Sequence, residues 1–138
     1  MKSVDIDLAV FLLEKVPKLL GLGDEPMFVL NDRAISYLEH LLGIPDLEYG
    51  GVRLYETISE QSAALFYFTI KDHKFENGNK RTAIVLTLAF LHQNSKWIEA
   101  TPKQLYDIAL AVAKSRPSEK DLMLKSLSNL FDEIIVDR

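Results

Sequence analysis

Residues 73–82 read HKFENGNKRT and bring a base, an acid, two amides and paired cations into one short stretch. The imidazole of His73, with an ordinary pKa of about 6.5, suits a general base near neutral pH. Beyond it, Gly78, Asn79, Lys80 and Arg81 stand where an apolar helical run begins. The first backbone N–H groups of a helix lack intrahelical partners and carry partial positive charge, a poor place for two cationic side chains. An anion held between the N–H groups and the cations resolves that conflict, and a phosphate fits best. Gly78 lets the backbone approach it closely. Asn79 can cap the helix or donate to a phosphate oxygen. A base beside a phosphate cradle is equipment for moving a group from a nucleotide to a hydroxyl.

Taken alone, GNKR reads equally as an Asn-capped helix with solvated Lys80 and Arg81. It is not a P-loop, because His73 stands where that motif needs its first glycine and no strand signal precedes it. A lone histidine on an apolar face is more often structural than catalytic. What distinguishes His73 is its place just ahead of the cradle, with Phe75 available to pin the loop into the core. Glu76 is adequately explained as an acidic residue favourable to a helix N-terminus.

The element that must hold this stretch is the one that follows it. Residues 83–91, AIVLTLAFL, leave a helix without a polar face, so it is expected to be the buried central helix. A length near sixteen residues and its opening GNKR favour a core helix over a bilayer span. Helical periodicity also runs through residues 4–20, with Pro17 expected to kink or restrict that helix near its end. GLGDEP at 21–26 is the strongest breaker cluster. Asn31 reads as the N-cap of a helix carrying Ala34, Ile35, Leu38, Leu41 and Leu42 and ending at Gly43, with His40 solvated.

A further helix is expected from about Leu54 to Lys71, growing more buried towards the motif. After the central helix, His92-Gln93-Asn94-Ser95 makes a polar exit, and Trp97-Ile98 reads as a packed extended segment, with base stacking a lesser alternative for Trp97. Thr101-Pro102 opens a helix with Leu105, Ile108, Ala109 and Val112 on one face. The last helix runs from Glu119 to about Ile135, with Ser118 and Asp121 at capping spacing. The fold class is all-α: a single domain spanning 1–138, about six helices around a buried central one, with a short flap. Loop residues around 43–52 form the rim of the site, and Arg53 is expected to be solvated rather than to reach a phosphate.

With 138 residues the chain is the size of one domain, and a net charge of −4 leaves no broad basic surface for nucleic acid. Nucleic acid and membrane are therefore not expected partners. The absence of cysteine excludes disulfides, thiolate metal sites and a cysteine nucleophile. Acidic Asp5 and Asp7 interrupt what would be the apolar stretch of a signal peptide, which makes a cytoplasmic location the expectation.

HKFENGNKRTA resembles the signature of the Fic/Doc (Fido) family, H-x-F-x-[D/E]-G-N-[G/K]-R, and its GNKRTA ending is similar to the death-on-curing (Doc) branch. The likeness extends upstream through Leu54-Tyr55-Glu56 and residues 63–72, and downstream through 113–123; it covers about Tyr49 to the C-terminus. By this resemblance His73 is the base that deprotonates a target hydroxyl, Phe75 the loop anchor, Gly78 part of a backbone anion hole, and Asn79 and Arg81 phosphate ligands. Lys80 stands where adenylylating members carry glycine; in the Doc branch that lysine accompanies transfer of the γ-phosphoryl group. The implied cofactors are ATP, or another nucleoside triphosphate, and Mg²⁺.

Two positions depart from the pattern. Ile84 replaces a second arginine of adenylylating members, which weakens the AMP-transfer reading. Asn77 replaces the carboxylate that binds Mg²⁺; its carbonyl can contribute without charge, and Glu76 can substitute if the loop is re-aimed.

The resemblance implies a toxin-type transferase that phosphorylates a target protein, restrained by a separate antitoxin protein. Its alternatives are Fic-type AMPylation of a protein and a catalytically weak nucleotide-binding module. Self-inhibited Fic proteins carry an [S/T]-x-x-x-E-[G/N] helix; here Ser115 to Glu119 has the spacing but runs through Pro117 and continues with Lys120, so no internal brake is expected. The loop at 21–26 and the following Met27-Phe28-Val29-Leu30 resemble by position the flap that holds a target's backbone by strand addition, although a short connection with buried apolar residues explains them as well.

Overall fold

The computed structural model describes residues 4–21, 30–72, 75 and 78–138. Its described part is all-α in class, with six helices and two small strand pairs. Helix α1 spans Ile6–Leu19, α2 Asp32–Leu42, α3 Ile58–Lys71, α4 Asn79–Gln93, α5 Pro102–Lys114 and α6 Lys120–Ile134. Strands β1 (Glu48–Tyr49) and β2 (Val52–Arg53) form a hairpin, and β3 (Lys96–Ile98) pairs antiparallel with β4 (Ile135–Asp137). The flap candidate over residues 21–30 lies, apart from its two end residues, outside the described residues.

α4 is the helix around which the others are arranged, for the reason its sequence gives. With apolar side chains all round, every face must be covered, and residues 81–91 are all buried. Val85, Leu86, Ala89 and Phe90 pack into one apolar cluster with Leu13 of α1 and Leu38 and Leu41 of α2. Ala83, Ile84, Leu88 and Leu91 pack into a second cluster with Leu105 and Val112 of α5 and Leu127 and Phe131 of α6. α3 serves both: Ala64 and Leu65 face the first cluster, Phe66, Tyr67 and Ile70 the second. The α3–α4 hairpin is thus sandwiched, and the loop between its helices carries the motif.

The caps follow the sequence in two places and depart from it in others. Asn31 caps α2, its Oδ1 accepting from the Ala34 N–H at 2.9 Å. Thr101 caps α5 in a full capping box completed by Gln104. α3, by contrast, begins at Ile58 rather than near Leu54, because Thr57 accepts from the Glu60 N–H at 3.1 Å and fixes the start there. Ser118 and Asp121 do not form a capping pair; a short 3₁₀ turn, Pro117–Glu119, intervenes, and Glu119 instead accepts from the Arg116 N–H at 2.9 Å. The last helix stops at Ile134, and residues 135–137 leave it to pair with the extended Trp97 segment, a strand without any turn signal ahead of it.

Two contacts set the α3–α4 hairpin in place. Ser59 donates to Asp132 of α6 at 3.0 Å, fixing the start of α3. At the other end the Lys71 ammonium donates to the carbonyls of Ala113 and Ser115, the open end of α5. The chain is therefore tied down immediately before it enters the motif.

Candidate functional site

At the start of α4, Gly78 occupies the left-handed region at φ 80°, ψ 16°, a conformation that other residues adopt only at a cost. Its carbonyl accepts the first helical bond, from the Thr82 N–H at 2.8 Å. Gly78 thus stands at the N-cap, and Asn79 is the first residue inside the helix rather than its cap. The side chain of Asn79 turns back onto Phe75. Its Nδ2 donates to the Phe75 carbonyl at 2.9 Å and its Oδ1 accepts from the Phe75 N–H at 3.3 Å. One buried amide therefore holds both backbone polar groups of the residue at the centre of the loop.

Phe75 is 4 % exposed and belongs to the apolar cluster built by α1, α2 and α4. Its ring meets Tyr37 of α2 edge-on, with centroids 6.3 Å apart and planes at 83°. Tyr37 is oriented in turn by Arg33, whose Nε donates to its hydroxyl at 3.2 Å. Sequence reasoning passed over Tyr37. Its position three residues after buried Ala34 placed it beside the core face of α2, a signal that could have found it.

Arg81 is 4 % exposed and engaged within the fold, whereas Lys80 is half-buried. No acidic residue lies in the first turn of α4, which carries the helix's N-terminal partial charge together with Lys80 and Arg81. Ile84 points into the second apolar cluster and is buried there. His73, Glu76 and Asn77 lie outside the described residues, as does Lys74 between them. Among the described residues no group of three or more histidines and carboxylates could hold a metal ion.

The remaining expectations resolve by position. Arg53 remains solvent-exposed, its side chain 37 % accessible, and pairs with Asp46 at 2.7 Å at the base of the β1–β2 hairpin. His40 is exposed. Trp97 sits in β3, just beyond the C-terminal end of α4. At about 1.5 Å per residue that end lies roughly 20 Å from Asn79, so Trp97 is too far away to stack on a base held at the motif. No helix among the described residues is long and apolar enough to cross a membrane.

Comparison with known proteins gives one match. A family model described as the Fic/DOC family matches residues 23–91, half of the chain. It begins upstream of the likeness carried by the motif itself, taking in α2, α3 and nearly all of α4, and it leaves out the segment at 113–123. No curated protein and no solved structure matches. The chain belongs to the Fic/DOC family, and with it to the Fic-type transferases that use nucleotides.

Proposed function

We propose that the protein is a Doc-like transferase that moves the γ-phosphoryl group of ATP, or another nucleoside triphosphate, to a hydroxyl of a target protein. The observation that carries this reading is the start of α4: a left-handed Gly78 followed by a first helical turn that holds Lys80 and Arg81 and no acid. Such a turn favours a polyanion. Lys80, where adenylylating relatives have glycine, favours the γ-phosphate as the group transferred. Burial of Ile84 in the apolar core leaves no cation at the position of their second arginine, which counts against AMP transfer.

In this reading His73 accepts the hydroxyl proton as the target oxygen attacks the γ-phosphorus. The bond to the bridging oxygen breaks and a nucleoside diphosphate leaves. Backbone N–H groups after Gly78, with Lys80 and Arg81, hold the phosphates and stabilise charge that develops on them. Asn79 acts as a positioning residue, because its amide is committed to the loop backbone. Mg²⁺, when bound, supplies charge neutralisation on the phosphates. Glu76 and Asn77 would be the residues that hold it, and of the two only Glu76 carries a charge.

The β1–β2 hairpin supplies an edge for the target. Gly50 and Gly51 both take positive φ, the tight two-residue turn that suits a hairpin, and Tyr49, Val52 and Leu54 are exposed beside it. An extended target segment added to this edge is held by its backbone. A separate antitoxin covering the loop around His73 belongs to the same reading; its recovery in a native pull-down tests that part. The transfer itself is tested by which phosphate of ATP labels protein: γ alone for phosphorylation, α for nucleotidyl transfer.

Asn77 favours one second reading, a nucleotide-binding module with little turnover, because an amide carries no charge for the metal. A variant with Asp at this position separates the two.

A further inference from the structure

At the far end of α4 from the motif, a groove of about 250 Å³ opens between α1 and the C-terminal half of α4. Leu12 and Val16, one helical turn apart, line one wall, and Val85, Leu88 and Ala89 line the other. Leu88 and Ala89, at 8 % and 7 % exposure, are the least buried of the apolar residues at 83–91, because they face this opening. The volume exceeds that of an apolar cavity known to take up benzene, about 150 Å³. The groove mouth is different in character. Trp97 and His92 meet edge-on there at 6.4 Å, and the Arg138 guanidinium lies over the indole at 4.3 Å. Arg138 is placed by its own N–H, which donates to the Ser95 carbonyl at 3.0 Å. The nearby Asp137 carboxylate is taken by Lys96, and among the described residues Arg138 has no carboxylate partner.

An apolar slot with a stacked, unpaired guanidinium at its mouth complements a ligand with an apolar body and one anionic end. We propose that this groove binds a medium-chain alkyl carboxylate, the chain lying between α1 and α4 and the carboxylate on Arg138. Stacking on Trp97 orients the guanidinium in advance, so less freedom is lost when the carboxylate arrives.

Trp97 is the protein's single tryptophan and lies in the groove, so its fluorescence reports binding directly. The experiment titrates the full-length protein with hexanoate, octanoate and decanoate below their micelle concentrations, with calorimetry as a second readout, and repeats it with decanol. The expected result is a saturable change in Trp97 emission, with each added methylene tightening binding by up to about fourfold. Decanol is expected to bind about tenfold more weakly than decanoate, as is decanoate to Arg138→Gln, with Arg138→Lys recovering part of the loss. Equal binding of decanol and decanoate by the unaltered protein, or no saturable response in either readout, would overturn the proposal. So would unchanged decanoate affinity in a folded Arg138→Gln protein.

Discussion

Asn79 holds Phe75 by both ends of its backbone, donating to the carbonyl at 2.9 Å and accepting from the N–H at 3.3 Å. This clamp joins the first residue of α4 to the middle of the motif. Replacing Asn79 by Ala leaves two backbone groups without these bonds in a site where Asn79 is only 6 % exposed. We expect a loss of about 1–3 kcal/mol in urea unfolding. At temperatures where the variant remains folded, we expect transfer to fall by about 10²-fold, since a loosened loop misplaces the base. Asn79→Asp, which keeps the acceptor and loses the donor, should lie between the two.

Phe75 is an anchor only if its burial carries stability. Phe75→Ala should cost about 3–5 kcal/mol, a large part of the roughly 5–15 kcal/mol that holds a domain of this kind together. Tyr37→Leu keeps most of the apolar area but removes the edge-on ring contact, for an expected loss of about 0.5–1.5 kcal/mol. Denaturant midpoints of the two variants check the order. A Phe75→Ala protein as stable as the parent would remove the anchor assignment.

Much of this arrangement was legible in the residues themselves. The run at 83–91 announced a helix covered on all sides, and Asn31 and Thr101 announced their caps. The start of α3 was misplaced because Tyr55 and Glu56 fit a helical pattern; the side-chain cap of Thr57 overrides it. β4 was missed because residues 135–137 follow a helix without a break, and pairing with the strand at Trp97, a long-range contact, decides their conformation. Within the site, residue types left open whether Asn79 caps the helix or binds a phosphate, and only geometry shows that it faces the loop. Tyr37 went unnoticed because its role depends on where a second helix crosses.

Alkali should weaken the fold. Burial pushes the phenol of Tyr55 above its ordinary value of 10.0, and it does the same for Tyr67, where the carboxylates of Asp121 and Asp72 add to the effect. A raised folded-state pKa means that the unfolded chain releases its proton first. The associated stability is therefore fully present below the unfolded value and is lost as pH rises through the folded one. Urea midpoints should hold steady up to about pH 9 and decline above about pH 10. Tyr55→Phe and Tyr67→Phe should each flatten that decline.

Asn77 is the position at which the proposed metal chemistry can be tested. If the protein turns over as proposed, Asn77→Asp should lower the Mg²⁺ concentration needed for half-maximal transfer by about tenfold or more, with the parent already active at saturating metal. Strong activity gained from a parent that is silent at every Mg²⁺ concentration would instead identify the natural protein as a binding module.

The central claim is phosphoryl transfer with His73 as base, and one labelling measurement addresses it. The purified protein is incubated with cell lysate and Mg²⁺, with ATP labelled on the α- or the γ-phosphate, beside a folded His73→Ala variant. The account predicts label on protein from γ-ATP alone, abolished in His73→Ala. Label from α-ATP, undiminished transfer by His73→Ala, or silence with both nucleotides would contradict it.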